Sequence, residues 1–195
     1  KKTFDKLPNI IISAPKDGNE LRNLLCTGID SKKAMSIRYP KAICSVYDQN
    51  AGSEIIPIGK WEYLSKGNEI AVLAVGSMVA TCMNMKEMLE KHLGHDITIV
   101  NARFIKPLDI EMLRDIASNH KYIFTFEEGC EIGGFGSNIL NYFSKLKDSP
   151  KICIKGIDDA FVNHGTQSEL LKSLGLDKEG VFNYILDNLS YYEKK

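Results

Sequence analysis

Short β-branched apolar runs alternate with amphipathic stretches along this chain, the pattern of an α/β protein with mostly parallel sheets flanked by helices. Asn9-Ile-Ile-Ile-Ser13 predicts a buried strand closed by Ala14-Pro15. Asp17 then stands where an N-cap belongs, ahead of a helix that carries Leu21, Leu24 and Leu25 and ends near Gly28. Residues 34–38 predict the next strand, stopped by Tyr39-Pro40. These pieces make one βαβ unit, too small to cover its own apolar faces.

Residues 41–67 lack helical periodicity and contain Asp48-Gln-Asn50, Gly52 and Pro57. They read as a linker with short extended pieces, Trp61 and Tyr63 pinning its end to a neighbour. From Asn68 the rhythm becomes regular. A strand over 69–75 leaves through Gly76-Ser77 into a Met-rich amphipathic helix over 79–93, stopped at Gly94. A strand over 97–102 follows, and Pro107-Leu-Asp109 introduces a helix through about Asn119. A third strand, 122–126, runs into Glu127-Glu128-Gly129. Beyond it the pattern predicts a helix from Gly134 to Lys145, a strand over 152–154, and helices over 167–174 and 178–189. This second unit, about 130 residues long, has ordinary domain size.

The chain has 195 residues, 25 of them basic and 25 acidic, and 44% are hydrophobic, enough to fill a core. A net charge of zero excludes a sequence-blind polyanion binder, so no nucleic-acid partner is expected. The longest apolar run, from Ile70 to Val75, is far shorter than the roughly 18–20 residues that span a bilayer. No membrane partner is expected either. Five scattered cysteines without a C-x-x-C pair fit a reduced cytosolic protein better than a disulfide scaffold or a zinc module. The expected location is cytoplasmic, or plastidic if the source bears plastids.

Several motifs carry candidate chemistry. The stretch from Gly129 through Gly133, Gly134 and Gly136 to Ser137 lies between a strand and a helix, where backbone N–H groups could cradle an anion. It fits neither phosphate fingerprint: Ile139 holds the third glycine position, and no G-K-[ST] follows. Close helix–strand packing is the reading it supports. Glu127 and Glu128 end a strand, and adjacent residues point to opposite faces, so they form no acid–base pair. Instead, one carboxylate is expected on the backbone of a facing loop and the other toward solvent. Cys130 and His164 could be written as a nucleophile pair, but Glu128 and Glu131 beside the thiol oppose a thiolate. His92 and His95 suit a helix C-terminus, His120 has no partner in sequence, and no metal set emerges.

Arg38 is different. It ends a predicted parallel strand just before a Pro-stopped turn, which places a guanidinium at the carboxyl edge of a sheet, where α/β ligands bind. Guanidinium suits bidentate phosphate contact. An anion site and a structural salt bridge are the two readings open for Arg38.

Taken together, these residues resemble the C-terminal portion of the 1-deoxy-D-xylulose-5-phosphate synthases, thiamine-diphosphate enzymes of the transketolase superfamily. The resemblance rests on Ile12-Ser-Ala-Pro-Lys-Asp17, Arg38-Tyr-Pro-Lys41, Pro57-Ile-Gly-Lys60, Arg103-Phe-Ile-Lys-Pro-Leu-Asp109, Glu127-Glu128 with Gly133-Gly-Phe-Gly-Ser137, and Asp159-Ala-Phe-Val-Asn-His-Gly165 leading to Gly175-Leu-Asp177. The segment from Asp159 to Asp177 points to the synthases rather than to a transketolase or a 2-oxoacid dehydrogenase β subunit, which are the alternatives. The resemblance implies decarboxylation of pyruvate and ligation to glyceraldehyde 3-phosphate, in a homodimer. Arg38 occupies the position that contacts the acceptor's phosphate. The sequence departs from the family pattern at Lys41-Ala42-Ile43.

The resemblance also implies thiamine diphosphate and Mg²⁺ held through a Gly-Asp-Gly motif, which is absent from these 195 residues. No cofactor or metal is therefore expected on this chain alone, and no catalytic residue is assigned to it. The implied organisation is 1–45 as the tail of a pyrimidine-binding α/β domain, 46–67 as a linker, and 68–195 as a transketolase C-terminal-type domain. Lys1 in place of Met agrees with a piece of a longer enzyme, inactive by itself. A stand-alone, non-catalytic binding or dimerisation module is the reading from another class.

Overall fold

A computed structural model describes residues 7–41 and 46–193. β1 (Ile10–Ser13) and β2 (Ala34–Ile37) pair in parallel, joined by α1 (Gly18–Ser31). Asp17 starts α1 as its sequence position predicts: its backbone is extended and its carboxylate accepts the Glu20 N–H at 2.8 Å. The helix runs past Gly28 and ends at Lys32, which adopts a left-handed φ of 52°. Gly28 serves packing rather than termination, since a Cβ there would lie 3.2 Å from the Met35 sulfur.

The larger sheet has five strands in the order β3 (Glu62–Ser65), β5 (Thr98–Asn101), β4 (Glu69–Ala74), β7 (His120–Cys130) and β8 (Lys151–Ile157). β5, β4, β7 and β8 are parallel, and β3 closes one edge antiparallel to β5. Thus β3 forms inside the stretch read as a linker, because Trp61, Tyr63 and Leu64 have a sheet edge to pack on. β7 continues past Phe126 to Cys130, following β8 through a register shift.

The five-stranded sheet is thus mostly parallel, as expected, and mixed only at its edge; the smaller sheet is mixed as well. β6 (Phe104–Lys106) leaves the second unit and adds antiparallel to the other side of β1, giving the order β2-β1-β6. No strand was legible there in the sequence.

Both faces of the five-stranded sheet are covered, which explains the unbroken apolar run of β4. Ile70, Val72 and Ala74 meet α2 (Met78–Leu93) and α6 (Lys178–Glu193), where Met85, Leu89, Val181 and Ile185 pack around Phe124 and Phe126. Ala71, Leu73 and Val75 face the other way, toward α3 (Ile110–Asn119) and α4 (Phe135–Phe143). That second layer also holds Ile11, Ile12 and Leu24 from the N-terminal unit. Each Val, Leu, Ile, Phe or Met side chain fully buried there contributes about 1.5–3 kcal/mol. The remaining short helix, α5 (Gln167–Ser173), begins in a capping box between Thr166 and Glu169.

Candidate functional site

The carboxyl ends of β1, β2, β4 and β7 converge on one cleft of about 140 Å³. Ala14, Arg38, Tyr39 and Pro40 line it from the small sheet, and Val75, Gly76, Ser77 and Glu128 from the large one. Arg38 is anchored through its backbone, its N–H donating to the Ser13 carbonyl at 2.8 Å. Its side chain is half-buried and forms no ion pair or hydrogen bond among the described residues. Gly76 turns the chain at the end of β4 with φ of +59°, a conformation that favours glycine. Ser77, the N-cap of α2, donates its hydroxyl to Glu128 Oε1 at 2.6 Å rather than capping the helix.

Glu127 and Glu128 diverge, as the pleat requires. Glu127 is 3% exposed and its Oε1 accepts the Gly136 N–H at 2.9 Å. This is the loop-backbone role that sequence reasoning assigned to one of the pair. Glu128 is half-buried in the cleft rather than turned to bulk solvent. A methyl group on Gly129 would sit 2.6 Å from Glu127 Oε2 and 3.3 Å from Arg38 Nη1, so a side chain there would wedge between the two.

The glycine-rich stretch packs rather than cradles. A Cβ on Gly134 would lie 2.2 Å from the Cys130 carbonyl oxygen, and one on Gly136 would lie 2.6 Å from Thr125 Oγ1 and 2.8 Å from Ile154. These glycines let α4 press against β7 and β8.

A polar cluster beside the cleft escaped sequence reasoning. Glu20, 5% exposed, accepts from the Lys16 N–H at 2.7 Å, from Asn101 Nδ2 at 2.8 Å and from Arg103 Nη1 at 3.2 Å. Glu62 accepts from Lys16 Nζ at 2.5 Å and from Asn101 at 3.1 Å. Arg103 also donates Nε–H to the Lys60 carbonyl at 2.9 Å. Lys16, Glu20, Glu62 and Arg103 line a second cavity of about 250 Å³. Burial pushes the Glu20 carboxyl up, and the hydrogen bonds and charges of Lys16 and Arg103 only partly counter it. Burial also pushes Glu62 up, but the Lys16 and Asn101 hydrogen bonds with the charges of Lys16 and Arg103 outweigh it, so that group ends below its ordinary value.

The remaining candidates stay apart. Cys130 and His164 are both exposed, and no hydrogen bond joins them among the described residues. His92 packs edge-on against Phe182, and His95 contacts the Asp96 carbonyl. His120 lies between the Ile116 carbonyl and Thr98 Oγ1, the partners its sequence context hid. Among the described residues no group of three or more His, Cys, Asp and Glu could hold a metal ion. No helix there is long and apolar enough to cross a membrane. Ala42 and Ile43, where the sequence departs from the family pattern, lie outside the described residues.

Residues 59–181 match the family described as "Transketolase, C-terminal domain". The chain belongs to this family. Among curated relatives of this transketolase C-terminal domain chain, the 1-deoxy-D-xylulose-5-phosphate synthase of Aquifex aeolicus is 39% identical over 94% of the chain. That of Gloeobacter violaceus is 39% identical over 95%. The chain spans 29% of the length of each. Among solved structures, one titled a split gene transketolase, inactive beta4 tetramer, superposes with a TM-score of 0.81 at 25% identity, covering 95% of this chain and 59% of that one. An H261F transketolase mutant from Pichia stipitis shares the fold at 21% identity, with a TM-score of 0.73 over 98% of this chain and 27% of that one. The transketolase C-terminal assignment therefore rests on sequence and fold alike.

Proposed function

We propose that this chain is the C-terminal part of a 1-deoxy-D-xylulose-5-phosphate synthase, joining pyruvate to glyceraldehyde 3-phosphate with release of CO₂, and that Arg38 holds the phosphate of the aldehyde. The observation that carries the reading is the placement of Arg38: a half-buried guanidinium, unpaired among the described residues, opening on a cleft where four strands end. An unpaired cation in that position is ready for an anionic ligand, whereas a structural salt bridge would already have its partner. Tyr39-Pro40 fixes the exit of the strand and so the direction from which the guanidinium approaches.

Thiamine diphosphate with Mg²⁺ supplies the decarboxylating chemistry in this reading. The residues present do not fit that group: the sequence lacks Gly-Asp-Gly, and no carboxylate cluster suited to the cation comes together among the described residues. In this reading the cofactor is held by the larger share of the relatives' length that this chain does not span. What this chain contributes is acceptor orientation and one wall of the site. In the same reading, residues 1–45 belong to the pyrimidine-binding domain, 46–67 connect, and 68–195 form the C-terminal domain of a cytoplasmic homodimer.

The test is steady-state kinetics of the complete enzyme with pyruvate and glyceraldehyde 3-phosphate. Arg38→Ala raises KM for the phosphorylated aldehyde by the loss of a charge-assisted contact, about 2–4 kcal/mol. Formation of 1-deoxyxylulose 5-phosphate distinguishes a synthase from a transketolase or a 2-oxoacid dehydrogenase. An unchanged KM removes Arg38 from the site.

A further inference from the structure

We propose that Glu128 is a specificity residue of the same cleft, accepting a hydrogen bond from a hydroxyl of the ligand whose anionic end Arg38 holds. The proposal rests on the reading of Arg38 as the phosphate contact and deepens it. Three observations lead there. First, Arg38, Ser77 and Glu128 arrive from the ends of three different strands and line one cavity of about 140 Å³. A phosphate seated on the guanidinium therefore brings its neighbouring carbons within reach of the carboxylate.

Second, Glu128 is held for the task. Ser77 donates its hydroxyl to Oε1 at 2.6 Å, which fixes the carboxylate, and Oε2 accepts no hydrogen bond among the described residues. An ionised carboxylate is an acceptor only, so that oxygen calls for a donor. Third, the charge pattern is wrong for an anion alone. A carboxylate sharing a small cleft with the single guanidinium opposes a bare anion, and it is offset only if the ligand also brings a hydroxyl or another donor. The chemical class this selects is a short phosphorylated aldehyde with a hydroxyl beside the carbon that bears the phosphate ester.

The rival role is structural: Glu128 merely ties Ser77 at the start of α2. Kinetics of the complete enzyme separate the two. Three acceptors are compared: D-glyceraldehyde 3-phosphate; 3-phosphopropanal, which lacks the 2-hydroxyl; and D-glyceraldehyde, which lacks the phosphate. Glu128→Ala is expected to raise KM about tenfold for the first and less than twofold for 3-phosphopropanal, because a site built to bind a hydroxyl discriminates only when the hydroxyl is present. Glu128→Gln keeps one carbonyl oxygen to accept from Ser77 and presents an NH₂ to the ligand hydroxyl, which can accept as well as donate; it recovers part of the loss and serves if the alanine variant does not fold. An equal effect of Glu128→Ala on both phosphorylated acceptors, or no effect on either, overturns the proposal. Arg38→Ala tests the underlying reading separately, since it should weaken both phosphorylated acceptors and spare D-glyceraldehyde. If it weakens all three alike, the phosphate assignment fails, whatever Glu128 does.

Discussion

Replacing Arg103 by Met tests whether the buried ionic cluster holds the two sheets together. The substitution keeps most of the volume but removes the guanidinium 3.2 Å from Glu20, where the two side chains are 16% and 5% exposed. At an effective dielectric of about 20, that pair is worth roughly 5 kcal/mol of Coulomb attraction. Desolvation of both groups offsets much of this, yet Glu20 would remain buried with its charge, a situation that typically costs about 3–5 kcal/mol. The Lys16 N–H and the Asn101 amide still hold Glu20, which places the expectation near 3 kcal/mol at neutral pH. Loss of the Arg103 bond to the Lys60 carbonyl adds about 1 kcal/mol, independent of pH.

The pH dependence gives the sharper result. The Glu20 carboxyl already titrates above its ordinary value of 4.5 because of burial, and removing a neighbouring cation raises it further. A group raised in the folded state binds its proton more tightly there than in the unfolded chain. The folded variant therefore gains stability relative to the parent as pH falls through the raised Glu20 value toward 4.5. Urea denaturation of both chains between pH 8 and pH 4 should show a deficit of about 3–4 kcal/mol shrinking to about 1–2 kcal/mol. Glu20→Gln in the variant background should recover most of the neutral-pH loss. A deficit below about 1 kcal/mol, or one that ignores pH, would refute the argument that an uncompensated Glu20 charge is the cause.

Asp109 accepts both the Met112 N–H at 3.1 Å, as N-cap of α3, and the buried Trp61 N–H at 2.9 Å. Asp109→Ala should cost about 2–4 kcal/mol from the lost cap and the stranded N–H. Trp61 is the only tryptophan of the chain, so its fluorescence reports the loosening directly; an unshifted spectrum with unchanged stability contradicts the double role. Gly136→Ala would press a methyl to 2.6 Å from Thr125 Oγ1 and 2.8 Å from Ile154. That overpacking should cost about 1–3 kcal/mol and lower Tm by roughly 2–10 °C in thermal melts. If Tm holds, the glycine is not there for packing.

Legibility in the sequence followed the range of the forces involved. Asp17 as N-cap, Gly94 as helix stop and the double-sided apolar run of β4 depend on neighbours a few residues away, and the local pattern shows them. β6 is only three residues long and stops just before Pro107; it is a strand because β1, some ninety residues earlier, offers it an edge. β3 and the tail of β7 likewise owe their extended form to partners across the sheet. At the site, Arg38 was visible because a guanidinium closing a predicted parallel strand has a predictable place. Glu128's turn into the cleft was not, since its direction depends on Ser77, 51 residues away. The Glu20–Asn101–Arg103 cluster was hidden for the same reason, its partners lying 81 and 83 positions apart.

The crossing of β6 has a mechanical consequence for the covalent chain. β1 is clasped on one side by β2 and on the other by a strand from the second unit, and Ile11, Ile12 and Leu24 share a single apolar layer with Leu73 and Val100. Asn19, Asn23 and Thr27 of α1 further bind the backbone of Asp48, Glu54 and Ile56. A protease nick at the exposed Asn50-Ala51-Gly52 would therefore leave two polypeptides that travel together on a sizing column and separate only in denaturant. In that respect the peptide bonds between the units are a tether of convenience, and the sheet edge is the hinge pin.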